Sequence, residues 1–567
     1  MLSVERTPVL IVGGGLVGLS AALFLQYHGV GFVLVERRDR ASALPRSRGV
    51  HTRTVEMFRQ IGIEDRVQQA GAAALKMGVF GGARRGTSLV DSEAIAVGGT
   101  SAVGGTSAPG GRGPAVGARM TGAADASPSR FCFCPQVLLE PALAGIARER
   151  GGDLRFGAEL GDFTQDDEGV SAIVTDVPTG RSTAIEASYL IAADGGASAV
   201  RRALGVGSWT LPPTHHYLNL FVRADLTDLV KGRTFSQCEI ANETIRGLVV
   251  SKNNTDEWSF HVEYDPARES IDDYPEQRCA DLVRAAIGVP DIAVTLLARS
   301  AWDTGVHVAD DYRRGRVLLA GDAAHQHAPW GGFGANTGIA DVHNLAWKLA
   351  GVLAGHAGSA LLDTYQAERR PRAVLAAEQA RIRTDFLARY GVRTPGNAKT
   401  MERQVDTGAI MTRYRYASPA VYVSPAVAPD QAGGDWVGRL AGQAGTRLPH
   451  AWLDVGGRQV STLDLCGPGF TLLVSADPAR WRSAAEAVRA GTGLNIVVHE
   501  IGPAAGLADP GGGRLEQAAL PIGGALLVRP DQHVAARSDQ GLHPDTLPRV
   551  LGALLGQVSA PSGAPAR

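Results

Sequence analysis

One stretch, PVLIVGGGLVGLSAALFL from Pro8 to Leu25, limits what the rest of the chain can be. It carries no charge, and about 18 apolar residues is the lower limit for a membrane-spanning helix. Its glycines decide against a span. Gly13, Gly15 and Gly18, with Gly14 between them, form G-x-G-x-x-G directly after the β-like run Val9–Val12. The first glycine permits a tight turn, the second lets a pyrophosphate approach the backbone, and the third lets helix pack on strand. Leu16 and Val17 then open a helix whose unpaired N–H groups and positive dipole end suit phosphate. A second apolar strand, Val30–Val35, ends in Glu36, followed by Arg37. An acid there accepts hydrogen bonds from an adenosine ribose. A signal peptide would want a cationic start and a cleavage site, and one Arg6 is a poor start. The stretch therefore predicts a dinucleotide site.

The chain has 567 residues, enough for about three domains. A formal net charge of −1 points to neither nucleic acid nor an anionic membrane as partner. The five cysteines are scattered without a C-x-x-C pattern, which fits reduced thiols in the cytoplasm.

Residues 1–210 and 303–390 read as one discontinuous α/β unit. Between them, 211–302 changes to strand patterns such as YLNLFVRADL, GLVVSKN and WSFHVEYD, a mostly antiparallel sheet expected to bind substrate. Its alternate apolar positions, Leu218, Leu220 and Val222 on one strand and Trp258, Phe260 and Val262 on another, read as apolar walls of a cavity, with core packing an equal reading and none of them assigned individually. The Gly-, Ala- and Ser-rich segment 81–129 reads as a flexible insert in the first unit, with a place at the border of the active-site mouth as the alternative. A helix is expected from about Leu361 to Arg389, a linker over 391–435, and a small domain of alternating β and α over 436–567.

Two further motifs accompany the glycines. YLIAADGGASAVRR places Asp194 after a strand, and RVLLAGDAAHQHAPWGGFGANTG places Asp322 at the end of another. A carboxylate at a buried strand end can bond a cofactor hydroxyl. The glycines 331, 332 and 334, then Ala335 and Asn336, lead into a helix N-terminus whose amides can face a developing negative charge. His325 and His327 tempt a metal reading, but no metal is expected. There is no G-x-S-x-G hydrolase elbow.

The three motifs together, in this order, resemble the para-hydroxybenzoate hydroxylase-type aromatic hydroxylases, the group A flavoprotein monooxygenases, over about residues 5–390. GTRLPHAWL and VRPDQHVAAR resemble the thioredoxin-like tail of the phenol hydroxylase and polyketide hydroxylase branch, although Ala536 stands where that tail usually has an aromatic residue. The resemblance implies a Rossmann-like FAD-binding domain, a mixed β-sheet substrate domain and a thioredoxin-like C-terminal domain. It implies FAD as cofactor, with NADPH or NADH and O2 as co-substrates. Asp322 would bond the ribityl chain, Gly332, Gly334, Ala335 and Asn336 would face the flavin O2 and N1 edge, and Pro329 would lie beside the reactive flavin edge. Gln136 would contact the cofactor, Arg46 and Arg48 would lie near flavin and pyrophosphate, and the Asp194 region would contribute to the nicotinamide groove.

The implied reaction is hydroxylation of a polycyclic, polyketide-type aromatic through a flavin C4a-hydroperoxide. The cofactor performs the oxygen chemistry, and the protein positions the ring and excludes water. No general base is nominated. Baeyer–Villiger oxygenation and oxidation of an indolocarbazole-like aromatic fit the same fold, and a non-catalytic FAD-binding protein is the rival of a different class. Flavin halogenases are disfavoured, since no two tryptophans lie two apart. Either a monomer or a homodimer is expected.

Overall fold

The computed structural model describes residues 3–40, 47–76, 82–95, 127–425, 436–502, 507, 520 and 524–557. Four of the parallel strands dictated by apolar runs form its first layer. Val4–Val12 lies between Phe32–Glu36 and Ser182–Ala192, and Asp153–Phe156 extends the sheet beyond Phe32–Glu36. Val317–Leu319 adds a parallel strand on the far side of Ser182–Ala192. All five residues of Phe32–Glu36 are buried, as a strand covered on both faces requires. The uncharged helix Leu16–Tyr27 is buried along most of its length against the same core.

The second layer is a seven-stranded sheet. Thr295–Asp303, His216–Arg223, Glu257–Glu263, Arg246–Ser251 and Phe235–Ala241 follow one another antiparallel, and Gly82–Gly86 then pairs parallel to the last. The helix Glu276–Ile287 seals one face.

This overturns part of the expectation for 81–129. Residues 82–95 are not a loose insert. Gly82–Gly86 and Glu93–Ala94 are strands of this sheet, and the turn between them buries Leu89 completely. Backbone hydrogen bonds from Leu89 and Val90 to the carbonyls of Ala286 and Ile287 tie it to the covering helix. Composition misled because the sheet's hydrogen bonds come from the backbone and do not depend on side chains. Residues 96–126 of that segment lie outside the described residues.

The expected helix Leu361–Arg389 is broken. Asp363–Ile382 stops, and Asp385 caps a new turn at Phe386–Arg389 by accepting from the Ala388 N–H at 2.6 Å. The stretch read as a linker is packed as far as it is described, to residue 425. Ile410, Met411, Tyr414 and Tyr416 are buried, and the last two stack near His533 with ring centroids 5.6 and 4.5 Å away.

In the C-terminal layer Phe470–Val474 pairs parallel with Ile496–Glu500 and antiparallel with Ala525–Val528, which pairs antiparallel with Val534–Arg537. The helix Pro478–Thr492 connects the parallel pair. This is the thioredoxin-like order. The layer packs Phe470, Leu472, Trp481 and Val550 around Trp347 of the long helix Phe333–Leu353.

Buried charge joins the two. Glu368, on the helix Asp363–Ile382, accepts from Lys348 Nζ at 2.8 Å and from Arg529 Nη2 at 2.9 Å. Burial alone would raise the Glu368 carboxyl, but Arg529 and Lys348 outweigh it and hold it below the ordinary carboxylate range. Asp531 is likewise held low, by Arg529 and His533 against the effect of burial. Removing one partner of such a network leaves an uncompensated buried charge and costs about 3–5 kcal/mol. Glu368→Ala should therefore lower the urea midpoint of the C-terminal layer's unfolding by that equivalent. Because both carboxyls are depressed in the folded state, their contribution is present at neutral pH and is lost as pH falls below about 4. Unfolding curves recorded down that range should show wild type losing stability while Glu368→Ala changes less.

Candidate cofactor and substrate site

The glycine turn is shaped by collisions that a side chain would cause. A Cβ on Gly18 would lie 1.8 Å from the Gly13 carbonyl oxygen, and one on Gly13 would lie 2.2 Å from the Ala193 carbonyl oxygen. Gly13 also has φ +107°, in the region open to glycine. The turn thus sits against the end of Ser182–Ala192, where Asp194 follows. Leu16 is buried and Val17 half-buried at the start of the first helix. Gly15 faces Glu140, whose Oε1 would lie 3.6 Å from its Cβ and accepts from Gln136 Nε2 at 2.6 Å. Gln136 begins the helix Gln136–Glu149, so three motif regions meet at this turn.

Glu36 is buried and already engaged. It accepts from the Gly14 N–H at 2.8 Å and from the backbone N–H and Nε of Arg38, each at 3.0 Å. A carboxylate has about four acceptor sites, so these bonds orient it and leave room for one more donor. Arg37 is exposed beside it.

Asp322 stands exposed in the turn after Val317–Leu319. That turn is held by a residue the sequence reading did not single out. Asp341, fully buried on the helix Phe333–Leu353, accepts from the Gly321 N–H at 3.2 Å and from Arg369 Nε at 2.9 Å, and shares a 2.6 Å hydrogen bond with His325 Nε2. His325 is therefore a buried partner of a carboxylate. An aspartate in the middle of an apolar helical run was the available signal.

The same helix starts at Phe333, with Gly332 as its left-handed N-cap at φ +67°. Gly334 and Ala335 lie half-buried in its first turn, whose N–H groups have no acceptor within the helix. Pro329 is exposed in the loop before it. The Asn336 side chain is engaged by the protein. It accepts from the His51 N–H at 2.8 Å and donates to the carbonyls of Gly49 and Gly332 at 3.1 and 2.8 Å. It clamps the segment after Arg48 onto this helix start.

Arg48 itself points to the second sheet, donating to the Ser251 carbonyl at 3.1 Å and to Ser236 Oγ at 3.3 Å. Arg46 lies outside the described residues. The structure thus gathers Gly13, Gly15, Leu16, Val17, Gly18, Glu36, Gln136, Asp194, Asp322, Gly332, Gly334, Ala335 and Asn336 around two facing helix starts. It gives Arg48 a separate setting.

Of the two readings of the alternate apolar positions, core packing holds. Leu218, Leu220, Val222, Trp258, Phe260 and Val262 are sealed in the core beneath the helix Glu276–Ile287. Side chains alternate along a strand, so the intervening positions face inward. These are Tyr217, Asn219 and His261, with Leu248, Val250 and Trp302 on neighbouring strands. The apolar alternation marked the core, and the mixed aromatic and polar alternation marked the wall. Tyr217 stacks on Trp302 at 4.7 Å, and Trp302 meets Trp330 edge-on at 5.8 Å. Arg389 covers Trp330, 3.6 Å above its ring centroid.

Several buried polar atoms here lack a hydrogen-bond partner among the described residues: Asp194 Oδ1, His327 Nε2 and Trp330 Nε1. Such atoms are costly to leave unpaired. Together with a glycine turn that admits close approach, they fit a large polar cofactor lying along this groove.

The comparisons name the cofactor. Residues 6–380 match the family described as FAD binding domain, and 441–558 match the one described as aromatic-ring hydroxylase, C-terminal. This chain belongs to the FAD-dependent aromatic-ring hydroxylase family. It is 38% identical over 547 residues to the tetracenomycin A2 monooxygenase-dioxygenase of Streptomyces glaucescens, covering 95% of this chain and 94% of that protein. Its fold is similar to a solved ternary complex of aklavinone-11 hydroxylase with FAD and aklavinone, at TM-score 0.82 and 33% identity over 98% of this chain and 100% of the other. It is also similar to the substrate-free rebeccamycin biosynthetic enzyme REBC, at TM-score 0.73 and 30% identity over 98% and 99% of the two chains. The family's two parts account for the first α/β layer with its inserted sheet and for the C-terminal layer. Among the described residues no helix is long and apolar enough to cross a membrane.

Helix approach at the cofactor turn is testable. A Cβ on Gly338 would lie 2.6 Å from Val17 Cγ2 and 2.8 Å from Gly321 Cα. Gly338→Ala should push the first helix away from the Asp322 turn. Overpacking of about 1–3 kcal/mol predicts FAD binding weaker by roughly five- to 150-fold. Titration of the FAD-free protein with FAD, followed by flavin fluorescence, checks this.

Proposed function

We propose that this monooxygenase uses NADPH, or NADH, to hydroxylate a polycyclic, phenolic polyketide-type substrate. The observation that carries the reading is the inner sheet wall. Tyr217, Trp302 and Trp330 offer aromatic surface of a kind suited to fused rings, and Asn219, His261 and Gln237 add polar groups that can orient ring oxygens. Similarity to the tetracenomycin and aklavinone enzymes over nearly the whole chain supports the same substrate class.

FAD, when bound, supplies reduction by the nicotinamide and activation of O2. The chain's own residues do the rest. The amides opening the first helix receive the pyrophosphate, helped by Gly13, Gly15, Leu16, Val17 and Gly18. Glu36 takes an adenosine ribose hydroxyl with its remaining acceptor site, with Arg37 alongside. Asp322 takes a ribityl hydroxyl, and Gln136 and Arg46 complete the contacts. The first-turn amides over Gly332–Asn336, with Pro329 in the loop before them, would face the flavin edge where negative charge gathers. Asp194, with an acceptor atom to spare, would contribute to the nicotinamide groove. The sheet wall holds the substrate ring in place and excludes water from the oxygen transfer. The five cysteines, all free and buried, suit the cytoplasm.

Similarity to REBC favours a second reading, oxidation of an indolocarbazole-like aromatic at the same wall. A phenolic polyketide should accelerate NADPH oxidation and gain one oxygen atom from O2. Product mass after turnover under labelled oxygen checks this, and label arriving from water would remove the monooxygenase reading. Asp322→Ala should weaken FAD binding by about ten- to hundredfold, the worth of one charge-assisted hydrogen bond. Unchanged FAD affinity would remove the role given to Asp322.

A further inference from the structure

The loop before the helix Phe333–Leu353 closes a turn in which the Gly332 N–H donates to the Pro329 carbonyl at 3.1 Å. Gly331 and Gly332 have φ +93° and +67°, two successive left-handed positions. Glycine has more backbone freedom than any other residue, so a pair of them does not fix its own orientation. Two buried side chains supply it. Asn336 Nδ2 donates to the Gly332 carbonyl at 2.8 Å. His51 Nε2 donates to the Gly331 carbonyl at 3.1 Å. A carbonyl only accepts, so the imidazole carries a proton on Nε2. Burial, against the opposing effect of that carbonyl, pushes the His51 imidazole down to about 4, which leaves the ring neutral in the ordinary pH range.

His51 is itself fixed on every side. Its N–H donates to Asn336 Oδ1 at 2.8 Å, and its carbonyl accepts from the Val55 N–H at 3.0 Å. Val50, just before it, exchanges two backbone hydrogen bonds with Cys132. The imidazole stacks on Phe333 with ring centroids 6.2 Å apart and meets Phe131 edge-on at 5.5 Å. His51 is 3% exposed, whereas Pro329 and Gly332 are exposed. The imidazole therefore grips the turn from the core side and leaves its outer side open. A peptide unit is planar and trans, so its N–H and C=O point in opposite directions. Holding the Gly331 carbonyl thus aims the Gly332 N–H at Pro329. Holding the Gly332 carbonyl aims the Phe333 N–H out of the helix start.

We infer that His51 is a positioning residue, which holds the turn 329–332 and the helix start in the orientation that favours reduced over oxidised FAD. The inference rests on the proposal that the first-turn amides face the flavin edge where negative charge gathers on reduction. Amides aimed there in advance stabilise the reduced ring without having to reorient, and amides on a loose glycine pair do not. His51 acts through the turn. It takes up and releases no proton in this role, and its Nε2–H stays on the Gly331 carbonyl throughout.

The test reads the midpoint potential of FAD in the holoenzyme, by equilibration with a redox dye during slow reduction. His51→Phe keeps the ring packing and removes the donor. It should lower the potential by about 30 mV, a tenfold loss of preference for reduced FAD in a two-electron couple. His51→Gln, whose amide reaches the same carbonyl, should restore it. Lost packing alone weakens both oxidation states alike and leaves the potential where it was. That result, with FAD retained in His51→Phe, overturns the inference. A second measurement does not depend on that variant. In holoenzyme with isotope-labelled histidine nitrogens, the NMR signal missing from His51→Gln should report the proton on Nε2. A proton on Nδ1 overturns the inference even if His51→Phe does not fold. The absorbance of the reduced, unmutated holoenzyme tests the underlying proposal separately. At a mildly acidic pH, where free reduced FAD is mostly protonated at N1, the bound form should be the anion. A neutral bound form removes the reading of the helix start and the inference with it. A bound anion together with an unmoved potential in His51→Phe overturns the role of His51 alone.

Discussion

The helix Phe333–Leu353 carries a line of polar side chains through the core, and the architecture depends on them. Asp341, Asn344 and Lys348 recur at one- and two-turn spacing and are all at most 1% exposed. Asp341 fixes the Gly321 turn, and Lys348 with Asn344 fixes Glu368, to which the C-terminal layer is tied through Arg529. One end of the helix offers its N-terminus to the cofactor groove, and the other packs Trp347 against the last sheet. Each buried charge is compensated by a partner on a different element. Displacing one element leaves a charge unpaired in a low-dielectric setting, and this couples the three layers more stringently than apolar contact alone.

That coupling gives the C-terminal layer a structural role in the site. Arg53 lies two residues after His51, which Asn336 clamps, and it donates to Gln532 at 2.7 Å and to Glu56 at 3.0 Å. Glu56 in turn accepts from Arg447 at 3.1 Å. The segment carrying Arg48 is thus held from one side by the cofactor-site helix and from the other by the C-terminal layer. Ala536 is fully buried within that layer, so the position where the related tails carry an aromatic residue here serves core packing.

The glycine turn was legible because its determinants are local. A side chain at Gly18 would collide with the carbonyl of Gly13, five residues earlier, and Glu36 reaches Gly14 across one β-α-β unit. The alternating strands of the second sheet were legible as strands for a similar reason, since a period of two needs no partner to be read. Which side of the sheet faced the cofactor was not legible. Leu218 and Leu220 on one side and Tyr217 and Asn219 on the other are consecutive along one strand, and only the helix Glu276–Ile287 decides which set is core. Residues 82–95 were misread because a Gly- and Arg-rich strand gains its place from backbone pairing with Phe235–Ala241, about 150 residues later.

The sequence by itself determined the dinucleotide turn, the order of α/β and sheet segments, and the helix start at the Gly331–Gly332 pair, because backbone sterics and hydrophobic periodicity act over a few residues. The tertiary structure alone decided the sheet's inward face, the clamp made by Asn336, and the seat of Arg48 against the Ser251 carbonyl. The clamp and the seat of Arg48 join residues 285 and 203 positions apart. Burial and pairing energies set their positions, and they arise only once the layers have closed on one another.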